Sequence, residues 1–165
     1  MVDLTYFCES MEKTSVAHIM VANSSWLFPT VETIHLAAMV FLVGSVSVFD
    51  LRLLGLLLQR ERVSKLAERL LPYTWTAFAL MVITGTLLFS FDPVRKYCPN
   101  AAFRFKLVLI ALAGLNMCTF HLTVYRNVHK WDNTPSPPRW AKMVGTFSVT
   151  LWAGVLVAGR LIGFF

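Results

Sequence analysis

Eight side chains capable of chemistry sit where the sequence is otherwise most apolar. Glu32, His35, Asp50, Arg52, Lys106, Asn116, His121 and Arg160 all fall within or at the ends of long hydrophobic stretches. A charge at membrane depth is costly, so each such group marks a candidate functional position. His35 and His121 are the leading candidates for cofactor binding. An imidazole can ligate a b-type haem or another metal, hydrogen-bond a quinone or relay a proton. Glu32 and Asp50 could carry protons or coordinate a small solute. Bland roles stand beside these. An internal ion pair would fix packing, and the long side chains of Arg52, Lys106 and Arg160 can snorkel towards water or headgroups. The six residues other than the histidines are therefore grouped only as polar clusters. No catalytic residue and no metal-ligand set is assigned. CxxC, HExxH, GxSxG and P-loop patterns are absent. The three cysteines lack zinc spacing, and no hydroxyl or thiol is placed to suggest a nucleophile–base pair.

The elements that must position these groups are four apolar stretches, 31–58, 73–91, 103–125 and 146–165. Each reaches the roughly 20 residues a helix needs to cross a bilayer. Lipid offers the backbone no partners, so such runs read as helices. The ten-residue alternating segments of a membrane barrel do not occur. The expectation is an all-α fold: one membrane domain over 1–165, with a four-helix transmembrane bundle at 30–58, 72–91, 102–127 and 140–164. Residues 4–24 read as an N-terminal interfacial amphipathic helix, since Phe7, Met11, His18 and Ile19 recur at helical spacing among Glu9, Glu12 and Lys13. Trp26 and Phe28 suit an interfacial aromatic belt. The charged stretch 59–69 reads as a helical extension, Pro72 as the start or kink of the second span, and 133–138 as a stiff proline-rich loop.

Helical rise places the polar residues at two depths. Glu32, His35, Lys106 and Arg160 form an outer layer. Asp50, Arg52, Asn116 and His121 form an inner one. Glu32, His35, Met39, Val46 and Asp50 share one stripe, and Lys106, Ile110, Ala113, Met117 and His121 make another, so one internal seam would join the layers. His35 and His121 then stand roughly 25 Å apart along the membrane normal. A single haem needs both axial ligands at one level. Two haems, one per layer, would each need another ligand.

Composition agrees with a membrane location. The chain is 56% hydrophobic, with a mean hydropathy of +0.61. Its net charge of +6 would raise nucleic acid as a partner for a soluble protein. Here the Lys and Arg residues flank spans, so topology and anionic lipid explain them and no nucleic-acid role is expected. The bias of Lys and Arg predicts both termini outside a bacterial inner membrane, with the first and third loops in the cytoplasm. Asp3, Glu9 and Glu12 argue against an N-terminal signal peptide, leaving the first span to direct insertion. Cys8 and Cys98 fall on the outer side. There they could form a disulfide or remain two thiols. Cys118 reads as a small buried hydrophobe.

The stretches ETIHLAAMVFLVG, VFDLRLLGLLL, LLPYTWTAFALMVITGTLLF, FRFKLVLIALAGLN and SVTLWAGVLVAGRLIGF resemble an uncharacterised family of bacterial four-span membrane proteins, a domain of unknown function. The resemblance implies fold and location, not activity. A shorter likeness, His35 in an apolar first span followed by Gly44, is similar to copper-resistance-type membrane proteins and small cytochrome b-like bundles. It implies redox or metal handling, although the paired histidines of those cytochromes are missing. Three roles stay open: a redox-linked subunit holding haem, quinone or a metal; a proton-coupled solute-binding or transport module; and a structural or accessory subunit. Membrane lipids are the expected surroundings, and a homo-oligomer or a larger membrane complex the expected assembly.

Overall fold

The structure, a computed structural model, describes residues 4–132, 134 and 136–164. It is all-helical among these residues: α1 (Leu4–Glu12), α2 (Ser15–Ala22), α3 (Leu27–Leu54), α4 (Val63–Phe91), α5 (Ala101–Thr119) and α6 (Arg139–Leu161). A π-helical turn, Pro93–Tyr97, links α4 to α5. Beyond Thr119 the rod of α5 goes on through a second π turn, Phe120–Val124, and a 3₁₀ turn, Tyr125–Lys130. Four segments are long and apolar enough to cross a membrane: α3, α4, Ala101–Lys130 and α6. The chain is a multi-pass membrane protein whose outward apolar faces meet lipid.

The N-terminal segment is two short helices, not the single helix expected over 4–24. Thr14 ends the first and caps the second: its Oγ1 accepts the Ala17 N–H at 3.3 Å. A short hydroxyl side chain offers the backbone this alternative to continuing a helix. The pair folds onto α4. Phe7 of α1 stacks on Phe89 at 6.3 Å, and α2 packs along the same helix. Cys8 and Cys98 are joined as a disulfide, with their Cα atoms 6.6 Å apart. Tyr97 is buried beside this bridge. Burial, with the charges of Glu32 and Asp92 adding to it, pushes its phenol up to about 12.

Two helix ends also differ from expectation. Gly55 takes the left-handed conformation, φ 75°, that a glycine adopts without strain, and closes α3 at Leu54 rather than at residue 58. Helix α4 begins at Val63 and continues past Pro72, which lies within it. Proline deprives one turn of its hydrogen bond, but tertiary contacts hold the segment ahead of it. Val63 is buried with Leu53, Phe120, Val124, Trp131 and Ala141. Asp132 accepts the Ser64 N–H at 2.8 Å and the Ser64 hydroxyl at 2.6 Å. A carboxylate at that position satisfies an orphan donor and complements the helix dipole. The proline-rich loop expected at 133–138 includes Asn133 and Pro135, which lie outside the described residues.

The spans form an antiparallel arrangement in which α3 packs on α4 and α6, and α6 packs on α5. Register can be read from their contacts. His35 meets Thr84 and Ser45 meets Thr74, ten residues on along α3 and ten back along α4. Ala38, Leu42, Ala77, Met81, Ala113, Trp152 and Val155 fill the centre. Helices α4 and α5, neighbours in sequence, are not a packed pair. Phe89 stacks on Phe103 at 5.4 Å at one end of that side and α4 meets the Tyr125–Lys130 turn at the other, so the bundle is open only between these contacts.

A lateral cleft with an acceptor-rich end

The opening between α4 and α5 leads into a cleft of about 470 Å³, within the roughly 300–1,000 Å³ usual for small-molecule sites. Its back wall is α3 and α6; its sides are α4 and α5 with the π turn at Phe120–Val124. Trp75 on one side and Gly114, Cys118 and Leu122 on the other are exposed, so they mark a mouth that faces lipid. The interior is apolar, with Phe49, Phe78, Ile110 and Trp152 among the lining. Five polar residues interrupt it: Asp50, Thr74, Asn116, His121 and Ser148.

Their positions follow from packing. Asp50 lies at a close approach of α3 and α6: a Cβ on Gly145 would stand 3.2 Å from the Asp50 carbonyl oxygen. The carboxyl is 4% exposed, Ser148 lies beside it, and its Oδ2 has no hydrogen-bond partner. Asn116 donates from Nδ2 to the Val144 carbonyl at 3.2 Å, stitching α5 to α6 at the same level. His121 lies five residues further along, roughly 7 Å deeper, on the π turn that follows Thr119. Its Nδ1 is 3.0 Å from the Met117 carbonyl oxygen. A carbonyl cannot donate, so Nδ1 carries the proton and Nε2 keeps its lone pair. Phe120 and Tyr125 pack around the ring at 5.5 and 5.9 Å.

A second polar site occupies the other half of the bundle. His35 is buried, with Nδ1 2.8 Å from the Thr84 hydroxyl oxygen. Thr84 already donates to the Leu80 carbonyl at 2.7 Å. Its oxygen therefore accepts from His35, and Nε2 is again the bare nitrogen. The ring lies against Gly85, where a Cβ would come within 3.2 Å of Cε1. Lys106 leans across to α6, its Nζ 3.4 Å from where a Cβ on Gly159 would stand. Gly159 is fourteen residues beyond Gly145 on α6. Counting the same distance back from Asp50 along the antiparallel α3 arrives beside His35. His35 and Lys106 thus share a level, roughly 22 Å from Asp50.

Of the four residues expected in the outer layer, the fold turns two inward and two outward. Glu32 and Arg160 are exposed, and the Arg160 guanidinium stacks on Phe164 at 5.4 Å. The buried stripe of α3 runs through Val31, His35, Ala38 and Leu42. A step of four from His35 reaches Val31, while Glu32 falls on the other flank of the helix. Lys106 does not snorkel along its own helix; it crosses to α6 over a glycine. Arg52 does not snorkel either. It is fully buried, and it donates from Nε to the Glu61 carbonyl at 2.9 Å and from Nη2 to the Thr134 carbonyl at 3.3 Å. It ties two loops together and takes no part in the cleft. Cys118, read from sequence as buried, is exposed at the mouth.

His35 and His121 lie at different levels, roughly 25–30 Å apart, and do not bracket one haem. No group of three or more His, Cys, Asp or Glu among the described residues could hold a metal ion. Ser148, Thr74 and Gly145 belong to the site although nothing in the sequence singles them out. Small and hydroxyl residues are ordinary in membrane spans, and only the facing helix shows what each one meets. A family model described as a family of unknown function, DUF6644, matches residues 7–165. No curated protein and no solved structure matches the chain.

Proposed function

We propose, for a chain that belongs to the DUF6644 family of unknown function, a redox-linked membrane subunit whose α4–α5 cleft receives the ring of a lipid-soluble quinone-type carrier. One observation carries the reading: a mouth open to lipid leads into an apolar cleft lined by Asp50, Asn116 and His121, where neither the buried Asp50 Oδ2 nor His121 Nε2 has a protein partner. An isoprenoid carrier has the matching shape, a flat polar ring on an apolar tail that can trail out between α4 and α5. Pockets of this kind, apolar with a few convergent polar groups, are the usual form of a small-molecule site. The sideways opening and apolar lining favour a lipid-borne ligand over the water-soluble cargo of a proton-coupled transporter.

A carrier of this class exchanges electrons with something, and the side chains of the cleft are not electron carriers. The chain therefore acts within a larger membrane complex or an oligomer that supplies the redox partner. The proposed membrane is the bacterial inner one, with both termini on the outer side. Two facts support that orientation. The Cys8–Cys98 bridge suits an oxidising compartment, and the opposite end exposes Arg60, Arg62, Lys65, Arg69, Arg126, Lys130 and Arg139.

Trp75 and Trp152 line the cleft and report on its occupancy. In nanodiscs, a short-tailed benzoquinone is expected to quench tryptophan fluorescence saturably. Gly114 has open space where a side chain would begin, so Gly114→Phe fills the mouth and should abolish the saturable component. Quenching that rises linearly with ligand, or that Gly114→Phe leaves intact, overturns the reading.

A further inference from the structure

We infer that the connection between α3 and α4, residues 55–62, is a membrane-surface anchor. Its leucines enter the edge of the acyl chains and its arginines take the phosphates of anionic phospholipids. This role is independent of the cleft and of whatever the cleft binds.

The sequence changes here from apolar to charged within a few residues. Leu56, Leu57 and Leu58 are followed directly by Gln59, Arg60, Glu61 and Arg62. All seven are exposed, Leu56 at 70%. Single exposed leucines are ordinary on a protein surface, but three in succession on a connection call for a function. The connection is also held in shape. Arg52 donates from Nε to the Glu61 carbonyl at 2.9 Å, and the Gln59 side-chain amide donates to the Gly55 carbonyl at 2.6 Å. The Leu56 N–H donates to the Leu51 carbonyl at 3.0 Å, and the Glu61 N–H to the Leu58 carbonyl at 2.9 Å. Leu58 takes a left-handed backbone conformation, φ 51°, which is unfavourable for a residue with a side chain. Strain of this kind persists where the surroundings enforce it, and it collects at functional places. So held, the leucines stay outside the core and line a shallow recess together with Gln59, Arg60 and Glu61.

Depth says what meets them. Helix α3 spans Leu27–Leu54, so its last residue stands roughly 20 Å from its own midpoint. The hydrocarbon of a bilayer ends roughly 15 Å from the centre, and the headgroups end at roughly 20–22 Å. Residues 55–62 therefore sit among headgroups. Leucines there reach acyl chains on one side, and arginines reach phosphates on the other. Lys65 and Arg69, exposed at the start of α4, extend the cationic strip. Apolar side chains beside cations are the composition of an interfacial element that favours anionic lipid. A soluble protein partner would have to reach the leucines through the headgroup layer.

The test has two arms, both on the full-length protein with its disulfide intact. In the first, a nitroxide is attached at Leu57→Cys in a Cys118→Ser background, in vesicles of phosphatidylcholine and phosphatidylglycerol. Its accessibility to oxygen and to a water-soluble nickel chelate, calibrated with spin-labelled lipids, should place it between the phosphates and the first acyl carbons. In the second, the protein is equilibrated with an equimolar mixture of the two lipids, and retained lipid is counted by native mass spectrometry. Phosphatidylglycerol should be retained in preference. Arg60→Gln combined with Arg62→Gln should lower that preference at least about fivefold, the factor expected of one cation beside an anionic surface. A label at the aqueous level overturns the inference, and so does a preference that the paired substitution leaves undiminished. The labelled protein keeps both arginines, so each arm decides even where the variant of the other fails to fold.

Discussion

At the scale of the residue, burial decides what each polar group does. The same residue types that suggest chemistry serve architecture wherever the fold supplies a partner. Arg52 is completely buried and donates from Nε and Nη2 to two loop carbonyls, with Nη1 left unpartnered. His35 is held in one tautomer by Thr84 and seated on Gly85. Thr84→Val would leave a buried imidazole N–H without an acceptor at nearly constant volume. A loss of about 1–3 kcal/mol is expected, seen as a lower unfolding midpoint in detergent. Adding His35→Leu should recover part of it, because the orphaned donor is then gone. Simple additivity of the two substitutions would show that the hydrogen bond is not what Thr84 contributes. The glycine under the ring explains why a histidine fits between packed helices at this point.

At the scale of the element, helix ends are set by contacts between segments distant in sequence. The first turn of α4 is capped by Asp132, from the connection that leads into α6. No side chain within the α4 N-terminus does this work. Asp132→Ala should cost about 1–2 kcal/mol, the range for a lost helix cap with its dipole interaction. Hydrogen–deuterium exchange should show the loss as faster exchange confined to the first turn of α4. Unchanged exchange there would mean that the apolar contacts of Val63 and Leu66 alone hold the turn. The π turn at Phe120–Val124 is likewise an element-level feature, and it is what sets His121 beside the cleft.

At the scale of the whole molecule, the open side is the consequential feature. A ring of four helices closed on every side would bury the cleft. This bundle packs α4 against α3, α3 against α6 and α6 against α5, and leaves the α4–α5 edge open between the Phe89–Phe103 stack and the contact of α4 with the Tyr125–Lys130 turn. At the far end, the disulfide ties α1 to the connection between the two helices that flank the opening. It closes a loop with a sequence separation of 90, so replacing both Cys8 and Cys98 by Ser should lower stability by about 2–4 kcal/mol. The same cysteines test the proposed orientation. After mild reduction, a membrane-impermeant maleimide should label them in intact spheroplasts, whereas a cysteine placed by Ser136→Cys should label only after permeabilisation. The reverse pattern would invert the assignment.

The amino-acid sequence alone determined the all-helical class, the number of spans and the separation of the polar residues into two depths. These depend on chain-local quantities: apolar length against bilayer thickness, and a fixed rise per residue. It also singled out His35 and His121, since an imidazole in an apolar run is conspicuous whatever surrounds it. It did not reveal the direction in which Glu32 and Arg160 point, the break at Thr14, or the passage of α4 through Pro72. Nor did it reveal the partners of Arg52 or the cleft itself. Each of those depends on what a neighbouring helix places opposite a given side chain: Gly159 under Lys106, Ser148 beside Asp50, Asp132 on Ser64. A one-dimensional pattern gives the depth and face of a residue on its own helix. Only packing decides which faces meet, and which pair of helices is left apart.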